Sequence, residues 1–365
     1  MKNKILFILH WPPPVHGSSV VGLKIKESKI INENFDCFYI NLGTSKTIDE
    51  IGKNYLSKIF RFPVIIWRVL RSLIVNRPNI CYFAITAKGT AFYKDALVVC
   101  LVKFFRVKLV YHFHNKGVST RQDQFTNNLL YRFVFKNTDA ILLSKYLYYD
   151  IQSFIPETKI HICPNGISEL DKPPITADKK QNEIVNILFL SNLIESKGVF
   201  VLLAACSILV QKGISFKCDF VGGEGDINAN QFQNRVKSLG LTNHVKYLGR
   251  KYGEEKNRAF CEVDIFALPT LEDCFPLVLL EAMQNGLPVV STFEGGIKDI
   301  VEDYVTGYLV QPKNEESLAA KLELLIQNSD LRNKMGKAGR QKYEQEFTLV
   351  KFEIRLMEIL NQMVK

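Results

Sequence analysis

Two series of short apolar runs, each alternating with stretches of helical pattern, restrict this chain to few folds. In residues 1–167 the runs are "KILFILH", "CFYINL", "ICYFAI", "KLVYHFH", "AILLSK" and "KIHICP". They are strand-length, rich in β-branched and aromatic residues, and nearly continuous in apolarity. A strand with one wet face would alternate instead, so these read as parallel strands covered on both faces. Helical patterns at 18–32, 91–105 and 123–137 lie between them. The series then restarts with "VNILFLS", "FKCDFVG", "VKYLG", "DIFALP" and "PVVST", separated by helices near 198–212, 227–239, 253–263 and 275–285. From Glu315 the tail is helical. The reading is α/β: two Rossmann-like, doubly wound parallel-sheet domains facing across a cleft at the carboxyl ends of their strands. The first domain spans 1–167 and takes back the C-terminal helix 348–365; the second spans 168–347. The polar, proline-bearing "ELDKPPITADKKQNE" (169–183) reads as the linker.

Composition narrows the function. The opening "MKNKILFILHWPPP" has an apolar core too short for a signal peptide and no small-residue cleavage site, so it reads as a first strand. No run is apolar enough to cross a bilayer. The 8 cysteines are scattered without Cys-x-x-Cys or zinc spacing, which suits buried, reduced thiols in the cytoplasm. Charge is uneven: 23 basic against 10 acidic residues in 1–167, and 24 against 27 in 168–365. The first half therefore faces something anionic. Nucleic acid is set aside because no clustered aromatic–basic platform appears. A dehydrogenase would need Gly-x-Gly-x-x-Gly after the first strand, and "HWPPPVHGSS" is not that.

The chemistry concentrates in "LEDCFPLVLLEAMQNGLPVV" (271–290). Pro276 suits a first helical turn, Gly286 the position after the last, and Pro288 prevents continuation. The exposed N–H groups near Phe275, Leu277 and Val278 make an anion site. Glu281 follows Leu277 on the same face, about 8 Å along the axis from the helix start. A diphosphate at the start and a ribose diol on Glu281 fit that spacing, with Asp273 beyond the diphosphate. The plain alternative is a core acid with a solvated head.

This stretch resembles the signature helix of the retaining glycosyltransferases of family 4, which carry two Rossmann-like domains in the GT-B arrangement. The family signature is two glutamates separated by seven residues. Glu281 matches the second, which in the family binds the donor's ribose; Asp273 replaces the first, which lies near the donor sugar. "ILFLSNLIESKGV" is similar to the segment where an arginine and a lysine clamp the diphosphate. Lys197 matches the lysine, but Asn192 stands where the arginine is expected; Arg250, Lys251 or the helix dipole are the candidates to supply that charge. "VKYLGRKYGEE" resembles the segment meeting the base, around Gly249, Arg250 and Lys251, and "FVGGEGD" a Gly-rich turn. "GGIKDIVEDYVTGYLV" resembles a following strand–turn–helix. In the first domain Gly17 is kept from the family's phosphate-covering loop, and Ser18 replaces its second glycine; Ser18 and Ser19 are expected to cap the next helix. Of the two histidines ending "LVYHFHNKG", His114 matches the family residue that reaches the donor sugar, with His112 second. A metal is not expected there, since no third ligand is near. Asn165 and Gly166 make a turn at the domain junction.

The resemblance implies a retaining, metal-independent hexosyltransferase that needs no cofactor and takes a nucleotide-diphosphate sugar as substrate. Its site would comprise His114, Asp273 and Glu281 at the reacting sugar and ribose. Gly17, Ser18, Asn192, Lys197, Gly249–Lys251 and Phe275–Leu277 would hold the donor. The acceptor is a glycan or lipid-linked intermediate in bacterial surface polysaccharide assembly. The stretch 57–78, with Lys58, Arg61, Arg68, Arg71 and Arg77 among Trp67 and other apolar residues, suits either an anionic membrane surface, at the inner face of the plasma membrane, or a core helix with solvated arginines. Two alternatives stay open: a nucleotide-sugar epimerase of the same fold, and a nucleotide-sugar-binding subunit that does no chemistry.

Overall fold

The computed structural model describes residues 2–13, 15–43, 55–170 and 184–364, so the expected linker lies from 171 onward outside the described residues. The chain divides into two compact units, Met1–Asn165 with Val350–Lys365, and Gly166–Leu349.

The first unit runs β1 (Lys4–Leu9), α1 (Gly17–Glu27), α2 (Lys29–Asn34), β2 (Asp36–Asn41), α3 (Tyr55–Val75), β3 (Ile80–Phe83), α4 (Gly89–Phe104), β4 (Lys108–Phe113), α5 (Phe125–Phe135), β5 (Asp139–Leu142) and β6 (Ile160–Ile162). Its sheet has the order β2-β1-β3-β4-β5-β6, with every pair parallel. The inner residues of β1 and β3 are wholly buried, as continuous apolarity demands. The helix expected at 18–32 is broken at Ser28, whose Oγ accepts from the Ile31 N–H at 3.2 Å and starts α2. The cap of α1 also differs from expectation. His16, not Ser18 or Ser19, is the N-cap, and Ser19 closes the box by accepting the His16 N–H at 2.9 Å. In α3, Ile65, Val69 and Leu73 enter the core while Trp67, Arg68 and Arg71 stay outside; the side chains of Lys58 and Arg61 lie outside the described residues.

The second unit runs β7 (Val185–Leu190), α6 (Val199–Gln211), β8 (Phe216–Val221), α7 (Ala229–Ser238), β9 (Val245–Tyr247), α8 (Gly253–Cys261), β10 (Ile265–Leu268), α9 (Leu277–Gln284), β11 (Val289–Thr292), α10 (Ile297–Ile300), β12 (Gly307–Val310), α11 (Glu315–Gln327) and α12 (Ser329–Glu346). The order is β12-β11-β10-β7-β8-β9, again all parallel. Residues 295–310 form helix, turn and strand rather than strand, turn and helix, and β12 completes the sheet edge. A last helix, α13 (Leu349–Met363), returns to the first unit, where the Lys108 Nζ donates to the Met363 carbonyl at 2.9 Å.

One buried carboxylate fixes the loop that follows β4. Asp150 accepts the N–H groups of Gly117 (2.8 Å), Val118 (3.2 Å) and Ser119 (3.0 Å) and the Ser119 hydroxyl (2.7 Å). Removing it strands three amides away from water. Asp150→Ala is expected to cost about 3 kcal/mol of unfolding free energy, read as a lower midpoint in urea.

Candidate functional site

In the second sheet the chain leaves β7 toward β8 and β9, and leaves β10 toward β11 and β12, in the opposite direction. The connections diverge at the carboxyl ends of β7 and β10, which is where a doubly wound sheet holds ligands. Two loops meet there. The one after β7 ends in a 3-10 turn, Glu195–Lys197; the one after β10 runs into α9. The Ser196 carbonyl joins them, accepting from the Leu271 N–H at 2.7 Å, the Glu272 N–H at 3.2 Å and the Thr270 hydroxyl at 3.1 Å. Gly198, at φ +82°, lets the loops close: a Cβ there would lie 1.9 Å from the Pro269 carbonyl oxygen.

This junction puts Lys197 on Asp273. Nζ lies 2.6 Å from Asp273 Oδ2 and 3.2 Å from the Glu272 carbonyl. The other Asp273 oxygen accepts the Cys274 N–H at 2.9 Å. Glu272 itself is exposed, and its carbonyl accepts from Lys197 Nζ.

Helix α9 begins at Leu277, with Pro276 in the N-cap position rather than in the first turn, and no side chain caps it. Its first N–H groups, Leu277 and Val278, therefore have no partner within the helix. Phe275 is buried edge-on against Phe347, 5.9 Å between ring centres, and anchors the entrance. The far end closes as expected. Gly286 sits at φ +66°, its N–H bonds Met283 O at 2.9 Å, and the Leu287 N–H bonds Ala282 O at 3.0 Å.

Glu281 is half-buried on α9. Its Oε1 lies 2.6 Å from Nζ of Lys256 on α8, while Oε2 is buried with no hydrogen-bond partner among the described residues. Lys256 carries no signal in the sequence: the pairing exists only because α8 packs beside α9.

The missing arginine is partly accounted for. Asn192 Oδ1 accepts the Gly223 N–H at 2.9 Å, and the Arg250 guanidinium lies against Gly223, where a Cβ would meet Nε at 2.0 Å. Gly249, at φ +69°, turns the chain there, and its carbonyl accepts the Gly222 N–H at 2.9 Å. Lys251 exerts its charge on Asp219 of β8.

Gly17, Ser18 and His114 belong to the first unit. Gly17 opens α1 with no atom within 4 Å of where a Cβ would stand, and Ser18 Oγ lies 3.0 Å from His16 Nδ1. His112 and His114 have ring centres 4.2 Å apart; His112 Nδ1 pairs with the Tyr82 hydroxyl, and His112 Nε2 and His114 Nδ1 are buried without hydrogen-bond partners among the described residues. Burial drives His10 down to about 4; burial, with His10 and His16 nearby, drives His114 down to about 3; His112 falls well below its ordinary range for the same first reason. All three rings are neutral at pH 7. Among the described residues no three or more His, Cys, Asp or Glu are grouped to hold a metal ion.

The second unit is thus a doubly wound sheet of the GT-B type whose switch point carries a lysine, a helix start without a side-chain cap and a carboxylate with one oxygen unbonded among the described residues. Residues 171–342 match the family model of Glycosyl transferases group 1. The chain is 32% identical over 270 residues to the amylovoran biosynthesis glycosyltransferase AmsK of Erwinia amylovora, the match covering 72% of this chain and 66% of AmsK. It is 27% identical over 257 residues to the putative colanic acid biosynthesis glycosyltransferase WcaL of Escherichia coli strain K12, covering 66% and 61%. The chain thus spans less than two thirds of the length of these relatives. By fold it resembles Anabaena Alr3699/HepE, crystallised in complex with UDP-glucose, with a TM-score of 0.72 at 18% identity over 98% of this chain and 99% of that one.

The neutral histidines make a pH prediction. A ring whose folded pKa lies below 6.5 contributes stability that is whole above pH 6.5 and is lost as pH falls toward the folded pKa, because the unfolded chain takes up the proton first. Each such ring steepens the loss by about 1.4 kcal/mol per pH unit. Between pH 6 and 4, unfolding free energies of the native chain are expected to fall faster than those of His114→Gln by about that slope.

Proposed function

We propose that this chain is a retaining glycosyltransferase of family 4, moving a hexose from a nucleotide-diphosphate donor to a hydroxyl of a glycan or lipid-linked acceptor. The observation that carries this is Glu281, a carboxylate with one oxygen on Lys256 and the other buried without a donor among the described residues, on a helix whose start has no side-chain cap. A ribose diol would supply the missing hydroxyl. The α9 N–H groups and Lys197 would take the diphosphate. Arg250, lying against Gly223 beside Asn192, would supply the second cation. The complex of HepE with UDP-glucose and the name of AmsK support a nucleotide-sugar donor and a surface polysaccharide product.

In this reading the breaking bond joins the anomeric carbon to the distal phosphate oxygen. Negative charge grows on the diphosphate as the sugar leaves, and fixed N–H dipoles with Lys197 stabilise it without reorganisation, and without a metal. Lys197 is held on Asp273 at 2.6 Å, so the diphosphate would share or take over that cation. Asp273 and neutral His114 would contact the donor sugar, and Gly17 and Ser18 the phosphates. The acceptor attacks the same face, and the leaving phosphate takes its proton. The basic first half, through α3, would lie against an anionic membrane where a lipid-linked acceptor resides, at the cytoplasmic side.

The ribose contact is testable apart from turnover. The native chain is expected to bind UDP at least tenfold more tightly than 2′-deoxy-UDP, and Glu281→Ala to bind both weakly and equally, by calorimetry. Lys197→Ala is expected to weaken both nucleotides alike. If Glu281→Ala keeps the discrimination, the carboxylate is not the ribose ligand.

A further inference from the structure

The outer surface of three neighbouring helices in the first unit carries large apolar side chains among basic ones. Helix α3 packs on α4, and α4 on α5. A helix lying on a sheet should turn charged and polar residues outward. Here α3 exposes Trp67 and Ile74, α4 exposes Leu97 and Phe104, and α5 exposes Phe125 and Leu129. Phe104 is 81% and Phe125 83% exposed, so these rings are outside the core altogether. By contrast α6, α7 and α8 in the second unit expose no large hydrophobic side chain, and α11 exposes one, Leu324.

The polar residues on this face have one sign. Arg68, Arg71, Lys103, Arg132 and Lys136 stand among the apolar groups. The Arg71 guanidinium lies 5.7 Å from the centre of the Trp67 ring, and Lys103 Nζ 5.5 Å from that of Phe133. Lys103 also donates to the Lys136 carbonyl at 2.7 Å, tying α4 to the end of α5. Across Tyr55–Val75, Gly89–Phe104 and Phe125–Phe135 the only acid is Asp95. It is 5% exposed and accepts the Thr86 N–H at 2.9 Å, so it faces inward. Asp123, in the turn ahead of α5, marks the border.

A protein partner would call for an apolar centre depleted of lysine, with charges at the rim. Interspersed rings and cations, whose aliphatic stems reach past the rings to a charged layer, suit a bilayer surface instead. We propose that α3, α4 and α5 together form a docking face for an anionic phospholipid bilayer. The rings and leucines of α4 and α5 enter the acyl boundary, and the arginines and lysines lie on the headgroup phosphates. This widens the membrane contact from α3 to three helices and rests on the membrane reading above.

The test is co-sedimentation of the full chain with vesicles of phosphatidylglycerol and phosphatidylcholine in equal parts, and of phosphatidylcholine alone. Three sets of variants separate α3 from the α4–α5 face: Arg68→Glu with Arg71→Glu; Leu97→Ser with Phe104→Ser and Phe125→Ser; and Lys103→Glu with Lys136→Glu. UDP binding, unchanged in all three, certifies folding. The native chain is expected to bind only the anionic vesicles and to be released by salt. Each variant should lose affinity, by at least tenfold for the serine set and about thirtyfold for each charge set. If only the α3 variant loses binding, the three-helix face is wrong while the α3 contact stands. If the native chain binds no vesicle, or binds neutral ones equally, both fail. A native dimer that the serine set dissolves, without vesicle binding, would show instead that a second copy covers the face.

Discussion

Every strand pair in each sheet is parallel, and that constraint organises the rest of the molecule. Parallel strands bring all their carboxyl ends to one edge, so the loops that leave them are neighbours however far apart they lie in sequence. Lys197 and Asp273 meet at 2.6 Å for this reason alone: β7 and β10 are adjacent, and the chain departs from them in opposite directions. The Ser196 carbonyl then locks the two loops through two amides and a hydroxyl, and Gly198 removes the one Cβ that would hold them apart.

The electrostatics of the site follow from the same packing. Each of its two carboxylates has a lysine at hydrogen-bond distance, one from its own loop cluster and one from the adjacent helix. Partly buried pairs of this kind hold their charges against desolvation while leaving donors and acceptors that a polar ligand can use. The distribution of charge is also a division of labour. In the second unit Lys197 and Arg250 stand near strand ends, whereas in the first unit Arg68, Arg71, Lys103, Arg132 and Lys136 stand among the exposed rings of α3, α4 and α5. The first arrangement suits a small anion and the second an extended anionic surface.

Much of the secondary structure is legible from apolar patterning. Runs such as "KILFILH" and "ICYFAI" became β1 and β3, because strands covered on both faces must be apolar nearly throughout. Pro276 and Gly286 bound the helix expected at 275–285 to within two residues of α9. Local hydrogen bonds were harder to read. His16 rather than Ser18 caps α1, and Ser28 splits the helix expected at 18–32, since several polar residues could each serve as a cap and only the path of the chain selects one.

The amino-acid sequence by itself determined two doubly wound halves, the short α9 with an acid in its middle, and the excess of positive charge in residues 1–167. These depend on periodicity and composition, which are local. Tertiary structure decided which side chains meet: Lys256 on Glu281, Arg250 against Gly223, His112 beneath Tyr82, and three basic, aromatic helix faces side by side. Those contacts join elements far apart in sequence, and their geometry is set by strand order and helix packing, which no local pattern encodes.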